Sequence, residues 1–383
     1  DEADPNSEND FGNNIIPNLL KDGRKMYAYH FAGYWKDVGT ISSLWEANME
    51  VLDPEHSGID IFDENWKIYS RNSGMTGHKI AKNAVVTNSM ITDGCRIEGG
   101  VKHSILFSGV KVEPGAVVED SPFFIQLISG VEQECRACGM EMQMCNLDKR
   151  DPGYQEQAKW IMNDKASAVI LLGTEMVDAD IDLIRGMTCP FIVIDYWKED
   201  MSFDAMLINN ADSARMATEY LIANGHKEIG YLRGDFRIKP FRSRFAGYQT
   251  ALQKAGLPLN KDYIFTMATT IDGAYENMKR YLSEKVKLPT AFFADNDMIA
   301  LGAMKAMAEF GIRIPEDISI VGFDDLTFSS ISYPPLTTLR VPKQEMGRAV
   351  VRRLRDILKD NDGIKIKMQM CTQFIERESV KKI

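Results

Sequence analysis

Cys135 and Cys138 are spaced Cys-x-x-Cys inside a stretch with helical periodicity. That spacing supplies half of a zinc site, which needs four ligands, and no second pair or nearby His completes it. Packing or surface cysteines are the simpler reading. The six cysteines of the 383-residue chain do not look like a disulfide framework, and a reducing cytoplasm fits them best. His30, His56, His78, His103 and His226 are scattered. His226 follows Asn224-Gly225 at a helix end, where a polar or cationic ring suits the dipole. No Gly-x-Gly-x-x-Gly or Walker loop follows an apolar strand, so no nucleotide cofactor is expected. No Gly-x-Ser-x-Gly nucleophile elbow is present either. The larger, second part of the chain therefore reads as a binding module without catalytic residues or cofactor.

Charge points the same way. Lys and Arg total 45 against 55 Asp and Glu, a formal net charge of −10. An acidic chain repels phosphate backbones, and no basic cluster offsets this, so no nucleic-acid contact by this chain alone is expected. No apolar run of about 18 residues is present, which predicts no membrane span, and no signal peptide is visible. The opening Asp1-Glu2-Ala3-Asp4-Pro5, without Met, suggests a fragment.

Two kinds of element must position whatever chemistry there is. From Ile80 the chain repeats: Val86-Thr87-Asn88-Ser89-Met90-Ile91 returns as Val101-Lys102-His103-Ser104-Ile105-Leu106. Apolar residues recur six apart, at Ile80 and Val86, Ile91 and Ile97, then Leu106, Val112 and Val118. That rhythm predicts short strands turning around a prism, a left-handed parallel β-helix. It stops at Pro122-Phe123, where another apolar pair is due, so the solenoid is truncated. Beyond it the pattern becomes α/β. Helical periodicity appears at 123–138, 155–163, 211–224, 241–255, 273–282, 298–310 and 343–358. Apolar strand runs at 168–172, 191–194, 229–232, 291–293 and 318–321 lie between them. Such alternation predicts parallel sheets covered on both faces. Two sheets fit, and ligands then bind at the carboxyl ends of their strands, in the cleft between two lobes.

The motifs Pro5-Asn6-Ser7-Glu8-Asn9-Asp10-Phe11-Gly12, Ile15-Ile16-Pro17 and Gly33-Tyr34-Trp35-Lys36-Asp37-Val38-Gly39-Thr40 resemble bacterial glucose-1-phosphate adenylyltransferases (ADP-glucose pyrophosphorylases). Gly94-Cys95-Arg96-Ile97-Glu98-Gly99 carries the resemblance into the β-helix, so it covers residues 1–121; Asn13 stands where that family usually has Lys. The resemblance implies that Asp37 helps hold the Mg²⁺ that bridges nucleotide phosphates. Mg²⁺ also needs a second carboxylate and the phosphates, and the family's nucleotide loop and sugar-phosphate residues lie upstream of the part matched here. A solvated loop Asp is the reading preferred for Asp37.

Four further motifs resemble the LacI/GalR family of transcriptional regulators: Ala217-Thr218-Glu219-Tyr220-Leu221-Ile222 running on to Gly225-His226; Arg244-Phe245-Ala246-Gly247-Tyr248; Asn296-Asp297; and Ile320-Val321-Gly322-Phe323-Asp324-Asp325. Pro334-Pro335-Leu336-Thr337-Thr338 completes the set, which covers nearly all of residues 122–379. The resemblance implies a two-lobed, periplasmic-binding-protein-like fold crossed by hinge strands, a small sugar-like effector, and a homodimer. It implies that Arg244 grips ligand oxygens with its planar fork and that Asp297 accepts adjacent hydroxyls. An interlobe ion pair is the alternative for Arg244, and a helix cap for Asp297. Phe123 and Phe124 match the family's aromatic pair beside the ligand, with core packing as the alternative, and Phe328 is a weaker candidate. Neither Arg244 nor Asp297 falls on an apolar core face. The family's DNA-reading segment would precede residue 122, where the pyrophosphorylase-like piece stands. The family's first strand is replaced by 116–120, which could pair in its stead.

The sequence thus predicts a chimera. Residues 1–75 are a nucleotidyltransferase fragment with linker, 76–121 a truncated β-helix, and 122–383 a two-lobed effector-binding domain. The favoured function is sugar sensing by a non-enzymatic regulator domain fused to a non-catalytic remnant. The rival is a fragment of an enzyme that makes ADP-glucose for glycogen synthesis.

Overall fold

A computed structural model describes residues 15–31, 33–38, 41–61, 63–65, 76–108, 110–112, 117–119, 122–142, 156, 166–177, 180, 185–199, 203–360 and 363–383. The chain separates into two compact units, Asp1–Asn72 and Ser73–Ile383. The first contains helices α1 (Ile16–Lys21), α2 (Ile41–Val51) and α3 (Pro54–Ser57). Within it, Tyr34 and Lys36 both bond the Glu50 carboxylate on α2, at 2.6 and 2.8 Å, which ties the Tyr34–Lys36 segment to that helix.

The second unit begins with the predicted solenoid. Strands β1 (Lys79–Ile80), β2 (Val85–Thr87), β3 (Met90–Ile91), β4 (Arg96–Ile97), β5 (Gly100–Lys102), β6 (Ile105–Leu106), β7 (Lys111–Val112) and β8 (Val117–Glu119) form three faces. The faces are β1-β4-β7, β2-β5-β8 and β3-β6, each purely parallel. Cys95, Ile97, Val101, Leu106 and Val112 fill the prism, with Val86 and Ile91 against them. Ile80, in the first coil, is instead 46% exposed, so the six-residue rhythm overstates its burial.

The rest of the unit is built from α4 (Pro122–Ala137), β9 (Val169–Leu172), β10 (Phe191–Ile194), β11 (Asp204–Ile208), α5 (Asn210–Ala223), β12 (Ile229–Gly234), α6 (Lys239–Lys254), β13 (Ile264–Met267), α7 (Ile271–Ser283), β14 (Ala291–Ala294), α8 (Asp297–Glu309), β15 (Ser319–Val321), α9 (Thr327–Ile331), β16 (Thr338–Arg340), α10 (Lys343–Lys359), β17 (Lys367–Met370) and β18 (Gln373–Ile375). Apart from α9, which the periodicity does not predict, the described helices match it to within two residues; of the helix predicted at 155–163 only residue 156 lies among the described residues. Two parallel sheets result, β17-β11-β10-β9 in the N-terminal lobe and β13-β12-β14-β15 in the C-terminal lobe. β16 and β18 pair antiparallel, and the chain runs from β16 back to α10 and β17 of the N-terminal lobe. Val117–Glu119 pairs with β5 of the solenoid, not with the lobe sheet as a substitute first strand.

Glycine sets the spacing of three helix pairs. A Cβ on Gly130 of α4 would lie 2.0 Å from the Gln344 carbonyl of α10, and one on Gly347 would lie 2.3 Å from the Leu127 carbonyl. Gly247 of α6 stands likewise over the Ala211 carbonyl of α5, and Gly302 of α8 over the Ile271 carbonyl of α7. Backbones approach there to distances that no side chain allows, so the helices cover the sheets closely.

Candidate functional site between the lobes

The strands end on carboxylates. Asp195 follows β10, Asp295 follows β14, and Asp324 comes just after β15. Asp195 and Asp324 both have positive φ, 62° and 112°, a backbone region costly for residues other than Gly. These two turns bring carboxylates from both lobes toward Arg244. On α6, Phe241, Arg244, Gly247, Tyr248 and Ala251 share the buried face, the i, i+3, i+4 stripe of an amphipathic helix. The position of Arg244 in that stripe is why it points inward.

Arg244 is 4% exposed. Its Nε donates to Asn210 Oδ1 at 2.8 Å and its Nη1 to the Asp295 carbonyl. Nη2 lies 3.6 Å from Asp324 Oδ1. The guanidinium stacks 3.6 Å from the centre of the Phe323 ring, with Phe241 at 5.6 Å. Burial of this kind corrects the expectation that Arg244 avoids the core: its flat faces pack against aromatic rings while its edge carries the hydrogen bonds.

Asp295 is fully buried. It accepts from the Tyr231 hydroxyl and from the Gly234 amide at 2.7 Å. Asp297 is equally buried. Its Oδ2 accepts from the Leu326 amide at 2.9 Å and the Ser329 hydroxyl at 2.6 Å, and its Oδ1 from the Thr338 hydroxyl at 2.6 Å. A Cβ at Gly322 would lie 2.2 Å from that Oδ1, so only glycine leaves it room. Asp297 is also not the cap of α8; Asn296 is, accepting from the Ile299 amide at 2.9 Å. Lys343, 2% exposed, donates to the Asp324 carbonyl at 2.5 Å.

Asp195 Oδ2 accepts from the Thr174 hydroxyl at 3.2 Å, while Asp195 Oδ1 and Asp324 Oδ1 have no hydrogen-bond donor among the described residues. Burial dominates the electrostatics. It pushes Asp195 and Asp324 up to about 6, against the opposing pull of Arg244. It pushes Asp295 and Asp297 up to about 7, and it lowers Lys343. Four carboxylates thus share two buried cations.

Of the residues singled out in the sequence, Arg244 lies 3.6 Å from Asp324, and Asp297 feels the negative charge of that same carboxylate. Phe123, half-buried at the start of α4, lies under the Lys343 ammonium, 5.6 Å from its ring centre, with Phe124 edge-on at 5.3 Å. Phe328, on α9 beside Ser329, packs against the C-terminal-lobe core. Asp37 is exposed, and no group of three or more His, Cys, Asp or Glu among the described residues is placed to hold a metal. Sequence reasoning missed Asp195, Asp295 and Lys343. The signal for the first two was a carboxylate directly after a buried apolar strand.

Residues 218–380 match the family model of the periplasmic binding protein-like domain. Over 268 residues the chain is 31% identical to the HTH-type transcriptional repressor PurR of Haemophilus influenzae, a match that covers 69% of this chain and 79% of the relative. The chain belongs to the LacI family of transcriptional regulators. Two solved transcriptional regulators share its fold. The Enterococcus faecium regulator with bound ribose has a TM-score of 0.61 at 24% identity, covering 70% of this chain and 97% of that one. The CelR–cellobiose complex has a TM-score of 0.62 at 21% identity, covering 80% and 86%. Residues 1–54 match the nucleotidyl transferase model and residues 74–138 the GlmU-like C-terminal hexapeptide model. The chain thus combines a LacI-type, periplasmic-binding-protein-like part with nucleotidyl-transferase and hexapeptide matches at its N-terminal end.

Proposed function

We propose that the interlobe cluster is the receptor for a small polyhydroxylated effector, a sugar, and that its occupancy biases the two lobes of a homodimeric regulator. The observation that carries this reading is the convergence of Arg244 with buried Asp195, Asp295, Asp297 and Asp324 where the strands of both lobes end. Hydroxyls donate to carboxylates and accept from a guanidinium, so a polyol matches both. Asp195 Oδ1 and Asp324 Oδ1 are acceptors in want of a donor. Asp297 serves by holding the loop of Leu326 and Ser329, and its hydroxyl partners are exchangeable for those of a ligand. Phe123, Phe124 and Phe328 offer apolar surface to a sugar ring. The ribose and cellobiose held by the two related structures agree with this class of ligand.

Calorimetric titration against ribose, glucose and cellobiose tests the reading, with circular dichroism as a check on folding. Arg244→Lys and Asp195→Asn should each weaken binding about ten- to a hundredfold, since about 1.4 kcal/mol is a factor of ten. A folded chain that binds a sugar equally well with either substitution would place the site elsewhere. Sedimentation velocity tests the dimer.

A further inference from the structure

A second concavity lies on the C-terminal lobe alone. The loop that leaves β12 and the first turn of α6 enclose about 490 Å³, within the range of small-molecule sites. Its rim carries Arg233, Arg237 and Arg242 against a single carboxylate, Asp235; its apolar wall is Phe236, Phe241 and Phe245. Phe236 is 53% exposed.

The arginines here differ from most others on the surface. Arg215, Arg313, Arg340 and Arg352 each sit within 3.1 Å of a carboxylate oxygen. Arg233 instead donates to the Thr266 hydroxyl at 3.3 Å, and Arg242 to the Arg237 carbonyl at 3.1 Å. No ion pair joins Arg233, Arg237 or Arg242 to a carboxylate among the described residues. Three guanidinium groups held in one recess repel one another, and in a chain of net charge −10 acidic partners are plentiful. Arg233 feels the buried Asp295 charge at longer range, but Arg237 and Arg242 beside aromatic rings suit an anion with a flat apolar body. The guanidinium fork fits the oxygens of a phosphate or carboxylate, and the rings take the body.

We propose that this recess is a second ligand site, for a small organic anion that carries a phosphate or carboxylate on a ring. It is separate from the interlobe cluster, because Arg244, Asp195, Asp295, Asp297 and Asp324 do not line it. The two share one wall. Phe241 lines the recess and also lies over Arg244, and it packs so closely on Gly234 that a Cβ there would come within 2.4 Å of its ring. That contact fixes the ring against the loop.

Phenyl phosphate is a suitable probe, titrated calorimetrically into the full chain, with benzyl alcohol and inorganic phosphate as partial mimics. Saturable binding of phenyl phosphate is expected, at least about tenfold tighter than either mimic and weakened by added salt. Arg237→Ala and Arg242→Ala, both at exposed positions, should each weaken it about tenfold or more, while Arg313→Ala, outside the recess, should change it less than about threefold. Binding of benzoate in place of phenyl phosphate would assign the site to carboxylates within the same class. Absence of saturable binding by both probes would overturn the proposal. So would affinity unchanged in the Arg237 and Arg242 variants, or affinity lost equally with Arg313→Ala. Sugar titration of the Arg237→Ala chain reads the interlobe site separately, so failure of one site leaves the other interpretable.

Discussion

Arg244 and Asp324 form an ion pair without a hydrogen bond. Nη2 and Oδ1 stand 3.6 Å apart, and no donor among the described residues reaches that oxygen. The guanidinium has already committed Nε to Asn210 and Nη1 to the Asp295 carbonyl, and the Phe323 ring fixes its plane. Arg244 therefore stabilises the neighbouring carboxylates by charge more than by contact. At this separation that does not overcome the cost of burying them, so both Asp195 and Asp324 stay above the ordinary carboxylate range.

This makes stability fall as pH rises. A carboxylate whose folded pKa is raised holds its proton more tightly in the folded state, so unfolding releases protons between the two pKa values. The window runs from the ordinary value of 3.8 to about 6 for Asp195 and Asp324, and to about 7 for Asp295 and Asp297. His226, lowered by burial, acts in the opposite direction below its ordinary value of 6.5, so substitution gives the cleaner readout. Urea unfolding at pH 5, 6 and 8 should show a midpoint that declines with pH in the wild type. In Asp324→Asn the decline should be shallower.

Removal of Asp297 should cost more than removal of a surface carboxylate. Asp297→Ala strands the Leu326 amide and the hydroxyls of Ser329 and Thr338 in a buried place. An orphaned buried donor costs about 1–3 kcal/mol, less where a hydroxyl can turn to another acceptor. A loss of about 3 kcal/mol by urea unfolding is expected, with Asp297→Asn smaller because one oxygen remains.

The helix crossing at Gly130 should resist the smallest enlargement. Its Cβ would lie 2.0 Å from a backbone oxygen of Gln344, and a backbone atom moves only if α10 moves with it. Gly130→Ala is expected to destabilise by about 1–3 kcal/mol through overpacking. Gly256, whose Cβ would meet nothing within 4 Å but whose φ is +68°, separates the two causes: Gly256→Ala should cost only the backbone strain, about 1 kcal/mol.

The N-terminal piece that matches the nucleotidyl transferase model should transfer no adenylyl group. Incubation of the chain with ATP, glucose 1-phosphate and Mg²⁺ is expected to yield no ADP-glucose, with or without Asp37→Ala. Turnover that this substitution abolishes would restore the enzymatic reading.

The α/β frame was legible because buried strands and amphipathic helices leave different periods in the chain. α10, Lys343–Lys359, is the clearest example, since every turn presents Met346, Val350, Leu354 or Ile357 to the core. The solenoid was legible for the same reason, from Ile97 and Val112, which its strand register stacks on one face. The carboxylate cluster was not. An Asp after a strand looks the same whether it faces water or a buried arginine, and only the topology brings Asp195 of one lobe toward Asp324 of the other. Asp297 shows the converse limit. Its motif marked it as important, but the three protein donors that occupy it come from Leu326, Ser329 and Thr338, none of which the motif contains.

The routing of the chain through the lobes also governs how it can be made. β12 to β15 lie within 229–321, so the C-terminal lobe sheet can assemble from one continuous stretch as it leaves the ribosome. The N-terminal lobe cannot. Its β11 takes a ladder partner from β17, Ala205 with Lys367 through Ile208 with Met370, and α4 waits for α10 to close over it. Long-range pairings of this kind form late because the intervening loop must first be ordered. During synthesis the earlier lobe is left with an open sheet edge and an uncovered helix face, the features that chaperones recognise and that drive aggregation. The half of the domain that is translated first is the half that folds last.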